Sequence, residues 1–355
     1  MTIPELSSSP SVAAAEALGF DPAIHRKLLA GLESGLLRDL HIVLAARSEK
    51  VFLEHYAEGR DEEWGRPIGQ IAFDAGTLHD LRSVTKSIVS LLYGIALDKG
   101  LVPPPDAPLF ALFPEYADLA ADPARAKITI GHALTMTLGM EWDENRPYSD
   151  PQNSEIAMEN APDRYRFILE RPIIADPGSR WIYSGGSVAL VGAIIERGCG
   201  KSLPDFARAA LFAPLGIERF HWSAGRDGVA SAASGLRLAA PDLLKIGQLL
   251  LRKGLCNGER IASEGWINAS FTAATSTPDG LGYGRLWFTG DAPAPAFAAP
   301  KPWYGGFGNG GQRLWLMPEA DIAAVIYAGK YNAWDAWVTP TRVWREIILA
   351  NFLNA

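Results

Sequence analysis

The chain has 355 residues and a formal net charge of −7, and 48% of its residues are hydrophobic. This composition suits an ordinary globular protein of one or two domains with a sizeable core. No cluster of lysine or arginine occurs along the chain, so we do not expect a nucleic-acid partner. The two cysteines, Cys199 and Cys256, are too few for a disulfide framework or a cysteine-rich zinc site.

The N-terminal residues 1–20 are predicted to form a loosely ordered leader. They lack the positively charged start of a secretory signal, and Glu16 interrupts their short apolar stretch. No uncharged run approaches the ~20 apolar residues that span a bilayer. We therefore expect a cytoplasmic protein without a membrane segment, provided that Met1 is the native start.

The dominant predicted secondary structure changes twice along the chain, from β to helical and back to β. A helical pattern over 22–37 is followed by β-like runs at 40–46 and 51–56, which a polar turn joins into a hairpin. Helical signals then dominate from Ser83 to about residue 275, in the segments 128–137, 163–170, 187–197, 204–212 and 241–253, among others. The β signals return at 283–288, 312–317 and 321–327, before a last helix over 339–353.

Strands at both ends with helices between them predict a discontinuous α/β domain, residues 21–82 and 276–355. A mainly helical domain, residues 83–275, is inserted into it. We expect the active site between the two domains.

Lys86 is a charged residue in the first turn of a predicted helix that is otherwise almost wholly apolar. Residues 84–97 are apolar on every face, which predicts a helix buried on all sides. An ammonium group in such surroundings costs several kcal/mol unless it is paired or loses its proton. We expect burial to lower the Lys86 pKa and turn this side chain into a base.

Ser83 lies three residues before Lys86, so the two side chains share a helix face. A serine hydroxyl becomes a good nucleophile when a neighbouring base takes its proton, and N–H groups at a helix N-terminus can stabilise an oxyanion. A serine three residues before a lysine also occurs by chance. The buried context favours the catalytic interpretation.

Two later segments contain further candidates. In 177–187 (PGSRWIYSGGS), Tyr183 precedes a glycine-rich turn, and a phenol near a lysine can relay protons. In 305–312 (GGFGNGGQ), the glycines match G-x-G-x-x-G, but the segment precedes a strand, which excludes a dinucleotide site. The glycines could let this backbone approach a ligand and offer a second oxyanion N–H group, and a tight turn without function is the alternative.

Taken in order, Ser83-x-x-Lys86, Tyr183-Ser184-Gly185 and the glycine-rich turn resemble the serine β-lactamase and penicillin-binding-protein superfamily. The similarity is greatest to the class C branch and its esterase relatives, and it covers roughly residues 40–350. Segments 128–140 and 177–184 also look like the family. The resemblance implies a β-lactamase/transpeptidase-like α/β (α+β) fold, in which N- and C-terminal helices flank an antiparallel sheet with an inserted helical domain.

The resemblance also implies roles for individual residues. Ser83 would be the acylated nucleophile, Lys86 its base partner, and Tyr183 the group that assists proton transfer to the leaving group. The backbone N–H groups of Ser83 and Gln312 would form the oxyanion hole. No metal or organic cofactor is implied, and the six histidines show no metal-binding spacing. His132 and His221 do not form a recognisable Ser-His-Asp set.

Two departures from the family bear on the substrate. Gly185 stands where β-lactamases usually have an asparagine that holds the acylamide group of the substrate. Asn309, in Asn309-Gly310-Gly311, stands where they usually have a cation that binds the substrate carboxylate. We therefore expect an esterase or a linear-amide hydrolase, similar to the nylon-oligomer hydrolases. A true β-lactamase or D-amino-acid peptidase is the first alternative, and a non-hydrolytic acyl-binding protein or an acyltransferase is the second.

The substrate-binding residues are predicted from their places beside these motifs: Gly185, Asn309, Gly310, Gly311, Trp181 and Trp142. Aromatic walls suit an apolar acyl or amine group, although for any single tryptophan a place in the core is the favoured interpretation. The acidic run 141–155 is either a loop over the site or a solvated loop. The expected partner is a small ester or amide substrate, and the sequence leaves the oligomeric state open.

Overall fold

A computed structural model describes residues 12–355 of the chain. Its α-helices are α1 (Val12–Ala17), α2 (Ile24–Glu33), α3 (Val84–Asp98), α4 (Ala117–Ala120), α5 (Ile130–Leu134), α6 (Ser154–Asn160), α7 (Arg164–Leu169), α8 (Gly185–Cys199), α9 (Leu203–Ala207), α10 (Ala240–Leu251), α11 (Glu264–Phe271) and α12 (Val338–Arg342). Two π-helical turns follow α9 and α12, at Arg208–Phe212 and Val343–Ile348.

The strands are β1 (Leu40–Arg47), β2 (Lys50–Tyr56), β3 (Glu58–Glu63), β4 (Arg66–Ala72), β5 (His79–Asp80), β6 (His221–Trp222), β7 (Leu236–Leu238), β8 (Leu255–Cys256), β9 (Glu259–Arg260), β10 (Thr275–Ser276), β11 (Gly282–Tyr283), β12 (Phe288–Ala292), β13 (Lys301–Gly308), β14 (Gln312–Met317) and β15 (Ile322–Ala328). Short 3₁₀ turns connect several of these elements, at Leu109–Leu112, Pro114–Tyr116, Arg125–Lys127, Ala213–Leu215, Pro318–Ala320 and Leu349–Asn351.

The described chain divides into two compact units. The sheet unit contains the residues up to His79 together with Leu238–Leu251 and Gly290–Ala355, and the helical unit contains Asp80–Arg237 and Arg252–Thr289. The sequence placed α10 in the helical domain and residues 276–289 in the sheet domain. The amphipathic pattern of α10 predicts a helix but does not say which core the helix covers, and this helix packs on β14 and β15.

The sheet unit is built on an antiparallel sheet in the order β13-β14-β15-β1-β2. Its middle strands are buried along their length, as expected for a sheet covered on both faces. Helix α10 packs on β15, β14 and β1, while α2 packs against the π-helical turn near the C-terminus. Strands β3 and β4 form a separate two-stranded ribbon.

Residues 12–20 of the segment predicted to be a loosely ordered leader have a defined structure. Residues 1–11 lie outside the described part of the chain, but residues 12–17 form α1. Phe20 is 2% exposed and stacks on Phe52 of β2, with ring centroids 3.8 Å apart. Burial of this ring explains why the prediction of a loosely ordered segment is wrong for residues 12–20.

The helical unit is organised around α3. Thirteen of the fifteen residues of this helix are buried, so the predicted all-round burial is confirmed. Helices α8 and α11 pack against it, and α8 begins at an N-cap where the Ser184 hydroxyl accepts a hydrogen bond from the Ser187 N–H group. These contacts fix the N-terminal turn of α3 and the start of α8 within one core.

Two segments differ from their predicted structure. The apolar run 283–288 is not one strand, because β11 ends at Tyr283 and a turn closes with a hydrogen bond from the Gly284 N–H group to the Trp287 carbonyl. Apolar side chains can be buried from a turn as well as from a strand, and the Trp287 side chain is 1% exposed. The acidic run 141–155 ends in helix α6, which Asn153 caps at its N-terminus.

The architecture of the two units matches the predicted α+β class with an antiparallel sheet and helices at both ends of the chain. Among residues 12–355, no helix combines the length and the hydropathy that crossing a membrane requires. Both cysteines are free thiols.

The contact between α3 and α11 gives a stability prediction. A Cβ atom on Gly94 would collide with the indole ring of Trp266. We expect Gly94→Ala to destabilise the protein by about 3 kcal/mol, the upper end of the usual cost of overpacking. Gly265→Ala, in open space on α11, is the matched control and should stabilise by about 0.5 kcal/mol. Urea unfolding of the full chain measures both, and equal effects of the two substitutions would contradict the packing argument.

Candidate active site

Ser83 lies at the N-cap of α3, where its side chain is 8% exposed. The preceding residue, Arg82, has a φ of 48°, a left-handed backbone that costs energy for a residue with a side chain. Such strain persists where the surrounding structure enforces it, and functional sites are a common place for it. The strained turn places the Ser83 hydroxyl at the N-terminal end of a long helix.

Lys86 is buried beside this hydroxyl, with only 2% of its surface exposed. Its Nζ donates hydrogen bonds to Ser83 Oγ, 3.0 Å away, and to the Ala233 carbonyl, 2.9 Å away. The carboxylate of Glu155 lies 3.8 Å from the same nitrogen. The predicted contact between Ser83 and Lys86 is therefore present, together with two partners that the sequence did not indicate.

The predicted direction of the Lys86 pKa shift is wrong. Burial alone lowers this pKa, but interactions with the ionised form of Tyr183 and with Glu155 and Glu144 outweigh it and raise the pKa above its usual value. The prediction considered desolvation without the acidic groups, which come from other segments of the chain. At neutral pH the Lys86 side chain is consequently an ammonium ion.

Tyr183 is the third member of the group. Lys86 Nζ lies 4.9 Å from the centroid of its ring. Burial raises the pKa of the Tyr183 phenol, although the Lys86 charge and a hydrogen bond with Ser83 oppose the shift. Ser83 and Lys86 are hydrogen-bonded to each other, and Tyr183, which follows about one hundred residues later in the sequence, lies beside them in one cluster.

A pair of acidic side chains borders the cluster. Glu155 is 2% exposed, and its Oε1 accepts a hydrogen bond of 2.5 Å from the Ser234 hydroxyl. Glu144 accepts hydrogen bonds from Trp142 Nε1 at 2.6 Å and from the Tyr148 hydroxyl at 3.0 Å. Burial and the neighbouring Glu155 raise the pKa of Glu144 to about 8. The Glu144 carboxyl group therefore holds its proton more tightly than an exposed glutamic acid does.

The sequence did not identify this pair: it offered 141–155 as a loop over the site or as a solvated loop, without naming its carboxyl groups as partners of Lys86. Its only signal was an acidic run lying between two motifs. Sequence spacing does not reveal that the two ends of such a run converge on a lysine sixty residues upstream.

Gly185 is in contact with the acidic pair. Its N–H group donates a hydrogen bond of 2.5 Å to Glu144 Oε1. A Cβ atom at this position would lie 2.8 Å from Glu155 Oε2 and 3.1 Å from Glu144 Oε1. The carboxyl groups therefore occupy the space that a side chain at residue 185 would need.

The remaining predicted residues of the glycine-rich segment belong to the sheet unit. Asn309, Gly310 and Gly311 form the hairpin turn between β13 and β14, and both glycines have positive φ, 86° and 102°. The Asn309 side-chain amide donates a hydrogen bond of 2.8 Å to Asn332 Oδ1, and it accepts one of 2.8 Å from the Asn332 backbone N–H group. The Gln312 side chain donates a hydrogen bond to the Ala328 carbonyl and accepts one from the Ala328 N–H group. Substrate contacts of this turn and the oxyanion role of the Gln312 N–H group stay predictions.

The two tryptophans lie beside the cluster in different ways. Trp142 is 8% exposed and holds Glu144, so its role includes positioning that carboxyl group. Trp181 packs its ring against Tyr183 and Tyr283, with centroids 5.8 Å and 5.5 Å apart. His132 acts in a capping box with Thr129 at the start of α5, which accounts for it without catalysis.

The chain is similar in sequence to known proteins over most of its length. The sequence profile of the family described as Beta-lactamase matches residues 41–340. The 6-aminohexanoate-dimer hydrolase of Paenarthrobacter ureafaciens is 24% identical over 330 residues, which cover 86% of this chain and 74% of that enzyme. Esterase EstB of Burkholderia gladioli is 28% identical over 207 residues, which cover 56% of this chain but only 48% of the esterase.

A solved structure shows the same fold. EstCE1, described as a hydrolase with promiscuous acyltransferase activity, matches with a TM-score of 0.71 and 17% identity, covering 96% of this chain and 99% of that one. At this identity the likeness concerns the fold alone. The predicted β-lactamase/transpeptidase-like fold is confirmed by this match and by the family profile.

Proposed function

Because the chain belongs to the beta-lactamase family, we propose that it is a serine hydrolase that cleaves an ester or a linear amide through an acyl-enzyme on Ser83. The observation that carries the proposal is the hydrogen bond of 3.0 Å between the buried Lys86 Nζ and Ser83 Oγ. The names of two curated relatives, a 6-aminohexanoate-dimer hydrolase and an esterase, support this reaction class. The cytoplasmic location expected from the sequence stays a prediction.

The chemistry follows from the protonation states. Lys86 holds its proton and Tyr183 is a neutral phenol in the resting cluster, so the reactive form is the one in which this pair has lost one proton. In that form the pair accepts the Ser83 proton as Oγ attacks the substrate carbonyl. It then returns the proton to the departing alcohol or amine.

Stabilisation of the oxyanion falls to backbone N–H groups. Ser83 lies at the N-terminus of α3, where the helix dipole favours negative charge. The Gln312 N–H group is the second donor on the family pattern. Water then attacks the acyl-enzyme ester, releasing the acid and restoring the serine hydroxyl.

The surroundings of Gly185 favour esters and linear amides over β-lactams. The β-lactamase pattern has an asparagine amide here to hold the acylamide group of the substrate, whereas this chain has two carboxyl groups in that space. The Asn309 amide, at the usual position of a cation, is engaged with Asn332. Rapid turnover of a chromogenic cephalosporin without action on p-nitrophenyl esters would favour the β-lactamase alternative.

Ser83→Ala tests the nucleophile. We expect the substitution to lower kcat/KM for a short-chain p-nitrophenyl ester by at least about a thousand-fold, because the acyl-enzyme cannot form. A fluorophosphonate probe should label wild-type protein at Ser83, as mapped by peptide mass spectrometry. Label on another residue, or activity that survives the substitution, would overturn the proposal. A stable adduct after a single burst would instead identify the non-hydrolytic alternative.

The pH dependence tests the protonation states. Since the pKa values of Lys86 and Tyr183 are both raised, the reactive form becomes more abundant as pH increases. We expect kcat/KM to rise continuously from neutral pH to at least about pH 9. The measurement is a pH-rate profile with an ester whose spontaneous hydrolysis is subtracted. A plateau reached below neutral pH would mean that Lys86 is a neutral base instead.

Glu155→Gln tests the acidic pair as a positioning element. Removing a negative charge 3.8 Å from Lys86 Nζ should lower the Lys86 pKa and move the rising limb of the profile down by about one pH unit. Glu159→Gln is the matched control, because this buried carboxyl lies on the same helix but pairs with Arg164. Glu159→Gln should lower the stability of the protein and leave the rising limb of the pH-rate profile unchanged. An unchanged limb in Glu155→Gln, with the protein folded, would contradict the role of Glu155.

A further inference from the structure

Three buried polar side chains of the sheet unit lie close together and have no part in the chemistry above. They are His41 on β1, Asp61 on β3 and His79 on β5, and they are 1%, 2% and 0% exposed. One ligand atom of each, two imidazole nitrogens and a carboxylate oxygen, lies within 4.8 Å of the other two. Two imidazole nitrogens and a carboxylate oxygen are a common set of ligands in metal sites.

The separations fit a small divalent metal ion. His41 Nδ1 lies 2.9 Å from His79 Nε2, and His79 Nε2 lies 3.5 Å from Asp61 Oδ1. Ligands bound to zinc at about 2.0–2.1 Å in a tetrahedral arrangement are about 3.3 Å from one another. The two observed separations lie on either side of that value, so small side-chain movements would accommodate the ion.

Packing determines which edge of each imidazole faces the cluster. Cβ atoms on Gly59 and Gly329 would both collide with Nε2 of His41, so this edge of the ring lies against backbone and Nδ1 is directed at His79. Phe73 stacks on the His41 ring, with centroids 4.2 Å apart. The ring is thus held in one orientation before any ligand binds.

The other two side chains are also held from outside the cluster. The Tyr327 ring stacks on His79 with centroids 4.6 Å apart. The Tyr331 hydroxyl donates a hydrogen bond of 2.7 Å to Asp61 Oδ1. Carboxylates and imidazoles that bind metals are usually oriented by such contacts, which contribute to affinity.

The geometry points to a site for one divalent transition-metal ion of the zinc type, bound by His41 Nδ1, His79 Nε2 and Asp61 Oδ1. Two imidazoles and one carboxylate suit zinc or cobalt(II), whereas calcium and magnesium prefer oxygen ligands alone. The fourth position would be taken by water. Because the three ligands come from β1, β3 and β5, the ion would cross-link three strands and act on stability.

Metal titration of the full-length protein tests the inference. After dialysis against a chelator, the protein should bind one equivalent of cobalt(II) and develop the visible absorption of a tetrahedral complex, which zinc then displaces. Bound zinc should also raise Tm. Asp61→Asn and His41→Asn should weaken cobalt binding at least about ten-fold, whereas His221→Asn, an exposed histidine of the helical unit, should leave it unchanged.

Tyr331→Phe keeps all three ligands and removes only the hydrogen bond to Asp61, so it probes the site even if the ligand variants fail to fold. It should lower cobalt affinity about ten-fold. Wild-type protein that is folded by circular dichroism yet takes up no stoichiometric cobalt or zinc would overturn the inference. Uptake that is unchanged in Asp61→Asn and His41→Asn would do the same. The cluster would then be a buried hydrogen-bond network only.

Discussion

The helical unit depends on how one buried ammonium ion is accommodated. Lys86 is surrounded by the core of α3, and its charge is stabilised by the Ser83 hydroxyl, the Ala233 carbonyl and the Glu155 carboxylate. Leaving a buried charge without such partners would cost several kcal/mol. The segments that supply the partners must therefore be in place for the core to be stable. The stability of this unit and the assembly of its polar cluster are therefore coupled.

The sequence predicted the elements that carry chemistry better than their electrostatic surroundings. The apolar run after Ser83 identified a buried helix, and the i, i+3 spacing identified the contact with Lys86. The sign of the Lys86 pKa shift could not be obtained in this way. It depends on Tyr183, Glu155 and Glu144, and the two glutamates come from a run that the sequence offered only as a loop over the site or a solvated loop. A local sequence pattern predicts burial, whereas a pKa depends on every charged and polar group within a few ångströms, whichever segment it comes from.

The same distinction explains the histidine cluster. The predicted absence of metal-binding spacing was an argument about motifs, in which ligands lie a few residues apart on one element. His41, Asp61 and His79 are separated by about twenty residues each and lie on three different strands. Only the packing of three strands from three different sheets, and of two glycines against one imidazole, brings them together. Similarly, Phe20 belongs to a segment predicted to be a loosely ordered leader, and only its stacking on Phe52 shows that it is part of the core.

The origin of the acidic pair has a consequence for how such an enzyme could diversify. Glu144 and Glu155 belong to a segment covalently remote from α3, and Gly185 provides the room for their carboxyl groups. The reactivity proposed for Ser83 could then be changed by substitutions in 141–155 without any substitution in α3. Because Trp142, Asn153 and Glu155 of this segment are buried, the same substitutions would also change the stability of the helical unit. A mutational library over this segment would therefore vary activity and stability together.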